Sequence, residues 1–267
     1  MHPMTPFQSI YFDDTPREGR IVDIFEAPEP TQKVALFFVH GGGWRGGSRT
    51  IFHSIIHEYR QLGFDCASTD YRLSGTDIFD QVGDVRTGLD IFIGNLIQRN
   101  RPTKVLLIGS SAGAHLALLT GLSNPEECGA PQMPLQHNPQ IAGIAVQAAP
   151  FTFEPWPDIF PAIWSSMQNA VGDSYADARV LFQQASPIHY VRPGSPPIFN
   201  LHAENEHMFP QELYAQFEQK MIECGNIVSQ KMYPKTEHGF FYSLDRWQQR
   251  QAFEDIRDFA QESVDGN

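Results

Sequence analysis

Lys104-Val105-Leu106-Leu107-Ile108-Gly109-Ser110-Ser111-Ala112-Gly113-Ala114-His115-Leu116-Ala117 is the stretch whose reading decides the fold. Its apolar start shows no alternation, the pattern of a strand buried on both faces. The strand ends in Gly-x-Ser-x-Gly and runs at once into a helix-forming Ala/Leu segment. A strand that turns so sharply into a helix leaves the turn residue exposed at the carboxyl edge of a sheet. A serine there holds its hydroxyl clear of the backbone, beside a helix N-terminus. Glycines are required on either side because a side chain would collide with neighbouring backbone. The register is unambiguous: Ser111 has Gly109 and Gly113 two residues away, whereas Ser110 would need glycine at 108 and finds Ile108.

Working toward the N-terminus, Val34–Val39 reads as the first buried strand and runs into His40-Gly41-Gly42-Gly43-Trp44-Arg45-Gly46-Gly47. Acyl transfer builds negative charge on a carbonyl oxygen, which must be met by N–H donors already in place. Glycines let a backbone approach that oxygen closely. Gly42 or Gly43 would supply one donor, and Ala112, directly after the serine, another. No Gly-Lys-Ser/Thr follows, which excludes a P-loop, and the dinucleotide fingerprint is also absent. His40 reads as a structural residue that ties the loop down.

The remaining elements alternate. Residues 7–26 read as edge strands, 50–62 as a helix, and Phe64–Thr69 as a strand ending at Asp70. Asp70 is expected to pair with Arg72. His53 and His57 stand four apart on their helix; without a third ligand they read as a polar face rather than a metal site. A helix is expected over 78–98 and another over 112–122, followed by an exposed loop over 124–140. Ile141–Ala149 reads as a strand. Residues 150–185 carry Phe151, Phe153, Trp156, Phe160, Trp164 and Met167 among prolines, the mark of an insertion packed over the sheet edge. Its aromatics are either ordinary packing or the wall of an acyl or alcohol pocket. Residues 196–201 read as a strand, 211–224 as a helix, 229–233 as a strand and 246–263 as a closing helix. This is an α/β chain with a mainly parallel sheet, read as a single domain over 1–267.

Composition bounds the partners. A net charge of -12 argues against nucleic acid or an anionic membrane as the main partner. No apolar run approaches the length of a membrane span. Met1–Pro6 shows neither a basic start nor an apolar core, so no secretion leader is expected. Cys66, Cys128 and Cys224 are sparse and lack metal spacing; they read as reduced, buried thiols in a cytoplasmic protein.

A serine hydroxyl needs a base to take its proton, and an acid to hold that base in the right tautomer. All three groups should stand at the carboxyl ends of strands. His238, a few residues past the last strand and followed by Gly239, fits the base. Glu204 and Glu206, after the preceding strand, both fit the acid.

With His40-Gly41-Gly42-Gly43-Trp44 and Gly109-Ser110-Ser111-Ala112-Gly113-Ala114-His115-Leu116-Ala117, nearly the whole chain resembles the α/β-hydrolase fold. Its branch is similar to hormone-sensitive-lipase-like carboxylesterases, carbohydrate acetyl or feruloyl esterases, and arylformamidases of the kynurenine formamidase type. The resemblance implies a mainly parallel sheet flanked by helices, with the order Ser111, acid, His238. Related hydrolases carry His-Gly-x-x-Asp-x-x-Val-Pro at the acid turn. Here it reads His202-Ala203-Glu204-Asn205-Glu206-His207-Met208-Phe209-Pro210, which puts Glu206 at the acid position and departs from the pattern at Ala203, Glu206 and Phe209. The expectation is a serine carboxylesterase acting on a small-molecule or carbohydrate ester. Ser111, His238 and Glu206 would be catalytic, Gly42, Gly43 and Ala112 would form the oxyanion hole, and no metal or cofactor would be required. The alternatives are an arylformamidase using the same residues, or a binding protein on a hydrolase scaffold.

Overall fold

Strand residues alternate between two apolar layers, and that alternation builds the molecule. The computed structural model describes residues 7–13 and 19–265. Residues 1–6, read above for a leader, lie outside the described residues. The described strands are β1 (Gln8–Tyr11), β2 (Ile21–Phe25), β3 (Ala35–Val39), β4 (Cys66–Thr69), β5 (Lys104–Ser110), β6 (Gln140–Gln147), β7 (Ile198–Asn205) and β8 (Val228–Glu237). They form one sheet in the order β1-β2-β4-β3-β5-β6-β7-β8. β1 and β2 pair antiparallel, β2 runs antiparallel to β4, and every pair from β4 to β8 is parallel.

In β3, Ala35, Phe37 and Val39 face one core while Leu36 and Phe38 face the other; in β5, Val105 and Leu107 oppose Leu106 and Ile108. The first layer is covered by α2 (Ile78–Gln98), α3 (Ala112–Leu122), α4 (Pro161–Val171), α5 (Arg179–Gln184) and α6 (Gln211–Glu223). The second is covered by α1 (His53–Gln61) and α7 (Trp247–Asp265). This is the mostly parallel sheet, flanked by helices, of the α/β-hydrolase fold.

Local chemistry sets the helix ends. Asp77 caps α2 by accepting the Asp80 amide at 2.9 Å. Pro161 starts α4, where a missing N–H costs nothing, and Gly172 ends it at φ 86°, a left-handed cap that glycine adopts freely. A short 3-10 turn, Arg49–Phe52, precedes α1, so the helix expected from residue 50 begins three residues later.

The expected insertion is helical, carrying α4 and α5, and a 3-10 turn at Pro187–Tyr190 extends it. Its aromatics divide. Phe151 and Phe153 are fully buried, whereas Phe160 is 62% exposed. The three cysteines are free; Cys66 and Cys128 are buried, while Cys224 is only half-buried at the end of α6.

Candidate active site

Ser111 sits between β5 and α3 with φ 55° and ψ -124°, a conformation that side chains resist. Its amide donates to the Gln147 carbonyl of β6 at 2.8 Å, and its carbonyl accepts the His115 amide at 3.1 Å. The neighbouring Ser110 hydroxyl donates to Gln147 Oε1 at 2.6 Å. The turn is thus pinned to the adjacent strand from both sides. The flanking glycines are sterically forced: a Cβ on Gly113 would run into the Val39 and His40 carbonyls, and one on Gly109 into the Gly113 backbone.

The parallel sheet delivers the other two groups. Asn205 at the end of β7 is paired with Glu237 at the end of β8, so Glu206 and His238 leave the sheet side by side. His238 Nδ1 lies 2.9 Å from Glu206 Oε2, and His238 Nε2 lies 2.8 Å from Ser111 Oγ. The polarity is that of Nδ1–H donating to the carboxylate and the serine hydroxyl donating to Nε2. Glu206 Oε1 also accepts the Met208 amide at 2.8 Å, which fixes the carboxylate. The Glu206 side chain is 5% exposed and that of His238 20%, so the pair is sheltered while the imidazole still reaches solvent. Glu204 points elsewhere: its Oε2 accepts the Lys235 amide at 2.7 Å.

The glycine loop lies against the elbow. A Cβ built on Gly41 would stand 3.2 Å from Ser111 Cβ. Gly42 at φ 131° and Gly43 at φ 59° need glycine's freedom, and Trp44 follows at φ 62°. The Gly42 carbonyl closes the turn by accepting the Gly46 amide at 3.0 Å and the Arg45 amide at 3.2 Å. Buried neighbours hold the loop. Gln81 donates to the Trp44 carbonyl at 2.7 Å. The Trp44 ring meets His115 edge-on at 5.7 Å and Phe153 at 5.1 Å. His115 Nε2 lies 2.7 Å from the Ala185 carbonyl, and burial pushes its imidazole from an ordinary 6.5 down to about 3. The Tyr242 hydroxyl packs against Ser110 and the Gly41 backbone, and burial raises its pKa.

His40 is structural, as expected. It is wholly buried, with Nδ1 donating to the Gly41 carbonyl at 2.8 Å and the ring stacked on Tyr71 at 4.3 Å. Burial holds its pKa below the usual histidine range.

The Asp70–Arg72 pairing is not found. Asp70 accepts the Arg49 amide at 2.6 Å and pairs with the Arg49 guanidinium. Arg72 instead donates through Nε to Asp84 at 2.7 Å. The reason is topological: Asp70, just past β4, faces the turn that follows the glycine loop, whereas Arg72 has already turned toward α2, which presents Asp80 and Asp84 one helical turn apart. His53 turns to Asp23, with Nε2 3.1 Å from Oδ2, and His57 lies half-buried one turn on. Among the described residues no group of three or more His, Cys, Asp or Glu is placed to hold a metal ion, and no helix is long and apolar enough to cross a membrane.

Sequence reasoning missed Gln147, Gln81 and Tyr242. Gln147, a polar residue closing an apolar strand, carried the one local signal; the other two meet the loop only through tertiary contact.

These motifs have a family-level counterpart: the BD-FAE family model matches residues 22–221. The chain belongs to the BD-FAE family. The matched span holds the glycine loop, Ser111 and Glu206, and His238 lies beyond it. This BD-FAE chain is 28% identical to Esterase LipQ of Mycobacterium tuberculosis over 239 residues, 82% of this chain and 54% of LipQ. It is 32% identical to the Kynurenine formamidase of Drosophila melanogaster over 101 residues, 37% of this chain and 34% of that one. The structure of Thermogutta terrifontis esterase 2 phosphonylated by sarin superposes with a TM-score of 0.79 at 19% identity, covering 96% of this chain and 95% of that one, a likeness of fold. The chain spans about half the length of the mycobacterial relatives it matches.

Proposed function

We propose that this BD-FAE family member is a serine carboxylesterase that hydrolyses acyl esters of small molecules or carbohydrates through an acyl-enzyme. The observation that carries the reading is the unbroken hydrogen-bonded line from Glu206 through His238 to Ser111, at 2.9 and 2.8 Å. The mycobacterial relatives, named as esterases, support the reaction class. The free cysteines favour a reducing, cytoplasmic setting.

Ser111 Oγ attacks the ester carbonyl carbon as its proton passes to His238 Nε2. Glu206 holds Nδ1–H and stabilises the imidazolium that forms. The carbonyl oxygen, now negative, is met by the amides of Gly42, Gly43 and Ala112. Collapse breaks the bond to the alcohol oxygen, which takes the proton from Nε2 and leaves. Water then gives a proton to His238, attacks the acyl carbon and releases the acid, and Ser111 Oγ recovers its proton. The positive-φ turn at Ser111 presents the hydroxyl to His238.

Steady-state rates on p-nitrophenyl acetate and acetylated xylo-oligomers, with fluorophosphonate labelling of Ser111, test the proposal. An unlabelled serine in folded protein would favour a binding protein and sink the esterase. A second reading, arylformamide hydrolysis by the same residues, draws on the 101-residue match to the Drosophila enzyme. N-formylkynurenine turned over faster than either ester would select it.

A further inference from the structure

Beside Glu206 the surface opens into a groove of about 570 Å³ between the start of the insertion and the turn after β7. It adjoins the proposed catalytic centre: the Phe209 ring lies 5.8 Å from the His238 ring and 6.2 Å from the Trp156 ring. Its outer walls are Trp156, Phe160 and the carboxylates of Asp158 and Glu212. No lysine or arginine lines it. Among the described residues, neither Asp158 nor Glu212 has an ion-pair partner, and both are exposed. Asp158 has φ 59° and lies between Trp156 and Phe160 in sequence. Phe160 leaves most of its surface in water.

An apolar wall alone would suit an alkyl ester. Aromatic faces combined with unneutralised carboxylates suit a cation, which the ring quadrupole and the negative charges attract together. An anionic substituent would meet the carboxylates of Asp158, Glu206 and Glu212 there, with His207 the one basic residue in the lining. We infer that the groove selects substrates carrying a fixed positive charge, a quaternary or primary ammonium, received on the Glu206 side of the site. This rests on the esterase reading and adds its substrate class. Trp156, Asp158, Phe160 and Glu212 are the specificity-determining residues.

Isosteric pairs that differ only in charge test it. On the alcohol side the pair is acetylcholine and 3,3-dimethylbutyl acetate. On the acyl side it is the methyl esters of 4-(trimethylammonio)butyrate and 5,5-dimethylhexanoate. The readout is the cationic-to-neutral ratio of kcat/KM within one enzyme, so a general loss of activity in a variant cancels. In at least one pair the ratio is expected at roughly tenfold. It should fall toward unity in Asp158→Asn/Glu212→Gln and, separately, in Trp156→Leu. A ratio near one in both pairs, or one untouched by the substitutions, overturns the inference, as does a higher kcat/KM on a neutral sugar acetate than on either cation. Calorimetry on the unmodified protein, comparing choline with 3,3-dimethylbutan-1-ol, gives an answer independent of turnover. Choline binding more tightly supports the groove even if no ester is cleaved, an outcome that would sink the esterase reading alone. Equal affinity, or no choline binding, removes the cation site.

Discussion

At residue scale, the proposed mechanism depends on three side chains whose separate contributions can be measured. Ser111→Ala removes only the proposed nucleophile. Hydrolysis of p-nitrophenyl acetate is expected to fall by at least about a thousandfold, with the thermal midpoint essentially unchanged. Glu206→Gln leaves the imidazole without its anionic partner and should lower kcat by about 10²–10⁴-fold. Glu204→Gln is the control: Glu204 accepts only the Lys235 amide, so its rate should stay within a few-fold of the parent. The reverse ranking of the two glutamates would remove Glu206 from the acid position. Which glutamate faces His238 depends on a strand pairing. The alternation of side chains does not settle it, since positions 204 and 206 are two apart and share one face of an extended chain.

At the scale of elements, the glycines around the elbow differ in what they are for. Gly113 lets α3 approach the end of β3, and any Cβ there would strike the Val39 and His40 carbonyls. Gly113→Ala is expected to destabilise by about 1–3 kcal/mol through overpacking and to reduce the yield of folded protein. Gly43 has open space around its Cα and is required only for its φ of 59°. Gly43→Ala should fold, at a cost of roughly 1–2 kcal/mol, and lose activity through a displaced amide. Circular dichroism melts and rates on one ester distinguish these outcomes; a greater loss of stability in Gly43→Ala than in Gly113→Ala would contradict the steric distinction. The strand–elbow–helix unit was legible because every constraint on it is local: apolar run, glycine spacing, helix-forming sequence. The insertion was recognised by composition, but its helices, and the division of its aromatics between core and groove, depend on packing against α2, α6 and the turn after β7.

At the scale of the whole molecule, buried polar groups link stability to pH and to charge pairing. His115 titrates near 3 in the folded state against an ordinary 6.5, because burial disfavours its charged form. Between those values the unfolded chain binds a proton that the folded chain does not. Stability therefore falls as pH drops through this window, by up to ~1.4 kcal/mol per pH unit. His40 and His202 are shifted in the same direction, also by burial first, and act with the same sign. Urea denaturation at pH 6.5 and 4.5 should give a shallower loss for His115→Gln than for the parent. Arg49 bridges Asp23, itself wholly buried, at 2.7 Å and also Asp70. Arg49→Met removes the guanidinium from both carboxylates, leaving Asp23 with Ser9 and His53, and should destabilise by about 3 kcal/mol, read as a lower urea midpoint at unchanged slope. No loss of stability would mean that the network is solvated.

The amino-acid order alone determined the α/β class, the buried strands, the elbow at Ser111, the glycine loop and the place of His238. Each is written in residues close together in sequence, where steric exclusion and apolar periodicity act directly. Tertiary structure decided the rest. The order β1-β2-β4-β3-β5-β6-β7-β8, the partner of Asp70, the support of the loop by Gln81 and Tyr242, and the meeting of Glu206 with His238 all join segments distant along the chain. Their contacts are selected by how the sheet closes and the helices pack, a global free-energy balance that no short stretch encodes.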